Sequence, residues 1–322
     1  PPPGSGAAIK TIQPLIVPPI NTDINFTTLP QFSLSAHRGL SAISMDTIPK
    51  VFDWRNHYPT DTPEITKKKS LIAKPGDQAL CGSCWAISGA GIVADNFVVS
   101  GVVDWVPNLS TTWCLSCYPQ HQCKGGNPAL LFLEISKTGI ASNHCVDYSW
   151  CLNNPDCNGS ALKHFDESKK AKKPDHPDLS KLIPSCGCYF GDKAEHYVYK
   201  IDPDPKHIYI GATGVTEENI ASVVKKQIYT NGPVMGGFIV LKNFMDGKFA
   251  HVGDGIYFDT GVYDKGELSF SNDMIAGSQY AGSHAIAIIG WGVAENTTTP
   301  KGKADVPYWY CRNSWTEKWG DG

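Results

Sequence analysis

The sequence lacks the features that mark several classes of protein. None of its apolar runs approaches the ~18 residues that a helix needs to cross a bilayer. Charge of neither sign is in excess, because 28 Lys and Arg residues stand against 31 Asp and Glu residues, a net charge of -3. That balance gives no electrostatic footprint for nucleic acid or an anionic membrane. With 41% hydrophobic and 18% charged residues, bulk disorder is also excluded, and we expect a globular protein without a membrane span or a nucleic-acid partner.

Turn-forming residues and cysteines, by contrast, are plentiful. The 322 residues include 31 glycines, 23 prolines and 11 cysteines, and a chain of this length has room for about two domains. The cysteines exceed what a reducing cytosol usually keeps. Four N-glycosylation sequons begin at Asn25, Asn108, Asn158 and Asn296. Together these features predict passage through the secretory pathway, to a lysosomal, vacuolar or extracellular compartment.

Composition divides the chain into three regions. Residues 1–50 contain eight prolines and only five charged residues, so we predict an extended N-terminal extension that lies on a larger body. Since Pro1 is neither an initiator methionine nor part of a signal segment, we expect a processed or partial product. Residues 51–200 are predicted to form a mainly helical lobe with a cysteine-rich insertion at about 145–188. Residues 201–322 are predicted to form a mainly β lobe.

Periodicity and capping residues predict three helices and three strands. The first helix runs from Ser83 to Ser100, followed by Gly101 as a cap, and is largely buried. The second follows Asn127 and Pro128 and ends before Gly139. Further along, a third helix runs from Thr216 to just before Asn231, and buried strands are predicted at 234–241, 284–291 and 308–313. Helices early and strands late indicate an α+β protein with two unlike lobes.

The segment QALCGSCW, residues 78–85, directly precedes the first predicted helix. A thiol is nucleophilic only as the thiolate, and a helix N-terminus favours that anion, so Cys84 is a candidate nucleophile. Two alternatives remain open here. A CxxC pair at a helix start also describes a thiol-disulfide oxidoreductase, and Cys81 and Cys84 with Cys114 and Cys117 can imitate a zinc site. The 29 residues between these pairs, however, exceed the usual spacing of about 15 to 20.

A candidate base and a group to orient it lie far downstream. The run SHAIAIIGWG places His284 at the start of an apolar strand, where the fold can hold an imidazole rigidly. Taken alone, such a histidine is more often structural than catalytic. The run WYCRNSW adds Asn313, whose amide can accept a hydrogen bond from an imidazole nitrogen, and Trp315, which can shield that bond from water.

Taken together, these segments resemble the papain-like cysteine proteases. The family's motifs also match at FDWR (52–55), at LS (109–110) with Cys117, at CKGG (123–126) and at NGPV (231–234), in family order. The resemblance covers about residues 50–322 and is closest to cathepsin B, with some features of cathepsin X. It implies an α+β, two-lobed fold, in which an active-site groove separates a helical lobe from an antiparallel β-barrel-like lobe.

The resemblance also implies roles for individual residues. Cys84 and His284 would form a thiolate-imidazolium pair that hydrolyses peptide bonds, while Asn313 orients His284. Gln78 would stabilise the oxyanion together with the Cys84 backbone N–H. The implied substrate-binding residues are Gly125, Gly126, Ser283 and Trp315. No metal or cofactor is implied, and a disulfide is expected between Cys81 and Cys123.

Some features depart from the family pattern. His284 lies 200 residues after Cys84, against about 130 to 150 in the simple pattern, so the region near 145–215 carries an insertion. It contains His164 and His176 but no adjacent histidine pair, and exopeptidase activity is therefore not expected. The chain ends at Gly322, where the family continues into further strands, and we expect the β lobe to be C-terminally incomplete.

The expected partners are polypeptide substrates and the chain's own N-terminal segment, acting as an inhibitor in a zymogen. Cys311 is predicted to be a buried free thiol, because it lies within an apolar strand. A catalytically silent papain-fold protein with a structural or binding role is the alternative function. Thiol labelling of Cys84 separates these two functions.

Overall fold

A computed structural model provides the coordinates. It describes residues 31–33, 44–56, 72–118, 120–162, 178–189, 197–201, 219–245, 263–264, 267–268, 280–299 and 302–320. The predicted helix start at Thr216, the sequon at Asn25 and the insertion histidines His164 and His176 lie outside these residues.

The described elements follow one another along the chain in a helix-rich and then a strand-rich half. In order they are β1 (Gln31–Ser33), β2 (Phe52–Asp53), α1 (Cys84–Val99), α2 (Thr111–Cys117), α3 (Pro128–Thr138), β3 (Ile140–Ala141), α4 (Ser149–Leu152), β4 (Val198–Lys200), α5 (Ile220–Asn231), β5 (Val234–Leu241), α6 (Lys242–Met245), β6 (Tyr263–Asp264), β7 (Glu267–Leu268), β8 (Tyr280–Thr299) and β9 (Gly302–Arg312). Two short 3₁₀ helices span Met45–Thr47 and Leu179–Leu182. Among these described helices, none has the length and apolar character that crossing a bilayer requires.

The first lobe is built around α1. The helix begins after Ser83 and is followed by Gly101 with a φ of +74°, as the sequence predicted, because glycine enters the left-handed region without steric penalty. Trp85 and Phe97 on this helix are 1% and 0% exposed. The second predicted helix is α3, and Asn127 caps it by accepting hydrogen bonds from two backbone N–H groups of its first turn.

Four disulfides crosslink the first lobe. The expected bond between Cys81 and Cys123 is present, which confirms that pairing. The others join Cys117 to Cys186, Cys145 to Cys188 and Cys151 to Cys157. A three-stranded sheet also lies in this lobe, in the order β1-β4-β3, so the short strand β1 of the N-terminal extension pairs in parallel with β4.

The second lobe is an antiparallel sheet in which β8 pairs with β2, β5 and β9. The strand predicted at 234–241 is β5 with the same bounds. The predicted strands 284–291 and 308–313 are the inner parts of β8 and β9, which continue into a long polar hairpin. Helices and antiparallel strands together confirm the α+β fold, and within the described residues the sheet is open rather than a closed barrel.

The prediction of a buried thiol at Cys311 is wrong. Cys311 is free, but it is exposed on β9, the strand that pairs only with β8 among the described residues. Successive side chains of a strand point to opposite faces, and the neighbouring Arg312 is the one that turns into the protein. The buried free thiol is instead Cys114 on α2, whose side chain is fully enclosed in the core of the first lobe.

The two lobes meet along α1. Ile92 of α1 belongs to the same apolar cluster as Ile289 and Trp291 of β8. A buried ion pair reinforces this contact, since the guanidinium of Arg312 lies 2.8 Å from the carboxylate of Asp95 and both side chains are more than 90% buried. The helix that begins at Cys84 is therefore fixed against the strand that carries His284.

Candidate active site

Cys84 is the first residue of α1 and is half-buried. Burial raises the pKa of its thiol above the ordinary value, because the charged thiolate is poorly solvated there. Backbone N–H groups of Ala285, Trp85 and Cys84 itself act in the opposite direction and favour the thiolate. Ala285 follows His284 directly on β8, so the strand from the second lobe reaches the sulfur.

A second contact ties the same two segments together. The hydroxyl of Ser88, one turn further along α1 than Cys84, donates a hydrogen bond of 3.1 Å to the carbonyl oxygen of Ala285. Ser88 and His284 are both 3% exposed. The start of the helix and the imidazole-bearing part of β8 are therefore held side by side.

His284 and Asn313 form a hydrogen-bonded pair. The Nε2 atom of His284 lies 2.7 Å from the Oδ1 atom of Asn313, and an amide oxygen only accepts, so Nε2 carries the proton. The backbone N–H of Ser314 donates to the same oxygen at 2.7 Å and fixes the orientation of the amide. Asn313 thus contacts the Nε2 side of the imidazole.

Trp315 covers the histidine. Its ring centroid lies 4.8 Å from that of His284, and the indole is only 5% exposed. The rings of Phe244 and Trp319 pack around Trp315 at 5.5 and 4.8 Å. The hydrogen bond between His284 and Asn313 thus lies beside an aromatic cluster, where exclusion of water strengthens it.

Gln78 is fully buried, and its side-chain orientation is determined by three hydrogen bonds. Its Oε1 atom accepts from the Ser314 hydroxyl at 2.7 Å and from the Trp315 indole at 3.1 Å. The amide nitrogen donates to the Cys81 carbonyl oxygen at 3.1 Å. An amide has two N–H bonds, so the second one is available to another acceptor.

The glycine segment, residues 123–126, lies beside the start of α1. The disulfide between Cys81 and Cys123 and a 2.9 Å hydrogen bond from Gly82 to the Cys123 carbonyl hold it there. Gly125 has a φ of +104°, and a Cβ placed on it would meet open space. A Cβ on Gly126 would overlap the indole of Trp85, so only glycine fits without a shift.

Ser283 differs from its neighbour His284 in exposure. It precedes His284 on β8, and its exposed side chain contrasts with the buried imidazole because successive residues of a strand alternate in direction. The structure thus brings Gln78, Cys84, His284 and Asn313 into one region and leaves Ser283 at the surface.

The disulfides also bear on the two alternatives that the sequence left open. Cys81 is bonded to Cys123 and not to Cys84, so a redox-active pair of Cys81 and Cys84 is not formed. Cys117 is bonded to Cys186, so the four cysteines cannot supply four thiolates to zinc.

Sequence reasoning missed three residues that support this region, namely Asp95, Tyr148 and Arg312. Asp95 is 0% exposed on α1 and forms the ion pair with Arg312, the residue before Asn313. A charged side chain within the buried apolar stretch of α1 was the available signal, because such groups require a partner. Tyr148 carried no comparable signal, since a tyrosine between cysteines suits many loops.

Residues 48–322 match the family described as "Papain family cysteine protease". The chain belongs to the papain family of cysteine proteases. A papain-family relative, the probable cysteine proteinase 024R of Invertebrate iridescent virus 3, is 48% identical over 94% of this chain and 63% of its own length. The cathepsin B-like cysteine proteinase 6 of Caenorhabditis elegans is 27% identical over 85% of this chain and 60% of its own length.

A solved papain-family structure agrees with the fold. The procathepsin B S9 structure from Trypanosoma congolense has a TM-score of 0.50 and 22% identity, and the match covers 92% of this chain and 76% of that one. At this level of identity the likeness concerns the fold. The chain spans about 60% of the length of the curated relatives it matches.

Proposed function

We propose that this papain-family chain is a cysteine peptidase that hydrolyses peptide bonds. The observation that supports this most strongly is the hydrogen bond between His284 on β8 and Asn313, directly after β9, next to the helix that Cys84 begins. A nucleophile, a base and a group that orients the base are the three parts of such a site. Here they come from residues 229 positions apart, from Cys84 to Asn313.

The reaction starts with a proton shared between Cys84 and His284. The sulfur of Cys84 attacks the carbonyl carbon of the substrate, and the imidazolium of His284 gives its proton to the leaving amine. Water then attacks the thioester while His284 accepts one of its protons, and the carboxylate product leaves as the thiol is restored. Asn313 keeps the imidazole ring in one orientation through both steps.

Two N–H groups are proposed to stabilise the oxyanion of each tetrahedral intermediate. One is the free N–H of the Gln78 amide, whose other groups are engaged with Cys81, Ser314 and Trp315. The other is the backbone N–H of Cys84 at the start of α1, where helix N–H groups lack partners within the helix. Such donors act because they are already in place when charge develops.

Substrate is proposed to bind as an extended strand along the glycine segment. Gly125 leaves open space at the Cβ position, so the substrate backbone can approach closely. Trp315 and Ser283 are the proposed contacts on the other side of the groove. A cathepsin B-like preference is part of the same proposal.

The four disulfides support a protein that folds in an oxidising compartment, which we propose to be lysosomal, vacuolar or extracellular. The exposed sequon asparagines Asn108, Asn158 and Asn296 are the proposed glycan sites. Pairing of β1 with β4 supports a zymogen in which the N-terminal segment lies on the first lobe as an inhibitor.

The burial that raises the pKa of Cys84 is the observation that favours the alternative, a catalytically silent papain-fold protein. Labelling with a thiol-directed peptidyl epoxide separates the two functions. We expect prompt labelling of Cys84, equal labelling in Cys311→Ser, which lacks the exposed free thiol, and none in Cys84→Ala. Folded protein whose Cys84 stays unlabelled, and which cleaves no peptide, would refute the peptidase.

A further inference from the structure

Tyr148 joins the two segments that carry the proposed oxyanion donors. Its hydroxyl donates to the Gln78 carbonyl oxygen at 3.1 Å and lies 2.7 Å from the Ser83 hydroxyl. A carbonyl oxygen only accepts, so the proton of Tyr148 goes to Gln78 and the Ser83 hydroxyl donates to Tyr148. Gln78 and Ser83 are 0% exposed and Tyr148 is 9% exposed, so this chain of hydrogen bonds from Ser83 through Tyr148 to Gln78, called the relay below, lies inside the protein.

The side chain of Ser83 does not cap α1. It stands at the N-cap of α1, where a serine side chain normally accepts a hydrogen bond from the first turn, yet it makes no such bond. Its close contact is instead with Tyr148. The peptide group between Ser83 and Cys84 contains the Cys84 N–H, so this contact acts on the position of that donor.

The segment that carries Tyr148 is itself braced. Disulfides at Cys145 and Cys151 flank the tyrosine on either side. The Leu80 backbone N–H, two residues after Gln78, donates to the Cys157 carbonyl oxygen of the same region at 3.0 Å. Burial raises the pKa of the Tyr148 hydroxyl, so it remains a protonated donor.

We propose that Tyr148 is a positioning residue for the oxyanion site, a role that rests on the peptidase function proposed above. It fixes the Gln78 backbone and the Ser83–Cys84 peptide relative to each other, and through them both N–H groups. Oxyanion donors act by being preorganised, and a displacement of 1 Å can cost about 100-fold in rate. The cysteine-rich segment thereby supports the reaction without touching the substrate.

The test is the Tyr148→Phe variant of the 322-residue chain, assayed on a peptide amide substrate. We expect kcat to fall between about 10-fold and about 100-fold with KM unchanged. The rate of alkylation of Cys84 by iodoacetamide should change much less than kcat, because that reaction forms no oxyanion. A fall in alkylation as large as the fall in kcat, or an effect on KM alone, would overturn the proposal.

Tyr118→Phe is the matched control. Tyr118 is 4% exposed, and its hydroxyl donates to the Gly139 carbonyl oxygen at 2.7 Å, so the variant likewise removes a buried, hydrogen-bonded hydroxyl from the first lobe. We expect its thermal stability to fall by a similar amount while kcat stays at the wild-type value. Equal kcat values for the two variants would overturn the proposal.

A second variant and a structural readout cover the remaining outcomes. If Tyr148→Phe fails to fold, Ser83→Ala should lower kcat in the same way, and an unchanged kcat there would refute the relay. An inactive wild type would refute the peptidase function instead. In that case, crystal structures of the wild type and both variants test the positioning role. The role requires the Gln78 carbonyl to move by about 0.5 Å or more from its wild-type position in Tyr148→Phe but not in Tyr118→Phe.

Discussion

The two lobes hold their parts of the candidate site by different means. In the first lobe, Gln78 and Cys84 lie on loops and a helix start that covalent bonds crosslink, and all four disulfides among the described residues are there. In the second lobe, His284 and the segment before Asn313 lie on β8 and β9, which are aligned by strand register. One half of the site therefore depends on the redox state of the protein, and the other half depends on hydrogen bonds and apolar packing.

The largest effect is expected where the two lobes are joined. Arg312→Ala leaves the Asp95 carboxylate buried without its cation, so we expect the free energy of unfolding to fall by about 3–5 kcal/mol. Chemical denaturation measures this. In the control Lys50→Ala, which breaks an ion pair with both side chains 68% exposed, the loss should stay within about 1 kcal/mol. Similar losses in both variants would show that the buried pair does not join the lobes.

The next effect distinguishes the lobes directly. Replacing Cys117 and Cys186 by serine opens a disulfide that spans 69 residues, and we expect a loss of about 2–4 kcal/mol in the free energy of unfolding. Wild type in reductant should lose at least as much, whereas the Cys311→Ser control should lose nothing measurable. Hydrogen exchange should rise first at α2 and later at β8. Exchange that rises equally in both elements would contradict the comparison.

A third effect tests what β8 contributes to the helix start. Burial already raises the pKa of the Cys84 thiol in the wild type, so the proposed thiolate requires His284 to take up the proton and pair with the sulfur as imidazolium. In His284→Ala no such acceptor remains, and the thiol should stay protonated near neutral pH. A thiol with a pKa above ~8.5 is less than about 3% thiolate at pH 7, so iodoacetamide alkylation should slow by about 30-fold or more. Its rate should then rise with pH beyond 8.5, and a rate-pH profile that matches that of the control His121→Ala would refute this.

The smallest effect concerns a surface contact of the glycine segment. Lys124, beside Gly125, donates to Asp178 at 3.1 Å, and this hydrogen bond lowers the pKa of Asp178 below 3.8. A lowered carboxyl pKa stabilises the fold above pH 3.8, and that stability is lost as pH falls through the lowered value. Because both side chains are partly exposed, Asp178→Asn should lose only about 0.2–1 kcal/mol at pH 7. Two outcomes would contradict the pairing. One is a stability difference between Asp178→Asn and wild type that persists at pH 2, and the other is stability losses of Asp178→Asn and Lys124→Met that add up in the double variant.

The local elements were predictable because their signals are local. Ser83 and Gly101 bound α1, and Asn127 with Gly139 bounds α3, since each residue has a specific role at a helix end. The strand β5 is an apolar run between a proline and a charged residue. The outer half of the β8–β9 hairpin was not predicted, because residues 295–299 are polar and offer no apolar pattern.

Long-range features were predictable only through motifs. The motifs identified Gln78, Cys84, His284 and Asn313, and the structure brings these four into one region. The ion pair of Asp95 with Arg312 and the contacts of Tyr148 could not be predicted from residue spacing. Each joins segments that are far apart in the sequence and become neighbours only in the fold. The exposure of Cys311 was missed for a similar reason, since the local sequence does not state which face of β9 the rest of the fold covers.

The middle position of β4 in its three-stranded sheet has a consequence for the proposed zymogen. Strand β4 pairs with β1 on one side and β3 on the other. Proteolytic release of residues 31–33 would leave the backbone N–H and C=O groups of Val198–Lys200 without partners along one edge. A newly opened strand edge accepts extended segments from other chains. Activation would therefore replace pairing with β1 by an open edge of β4 to which other polypeptides can bind.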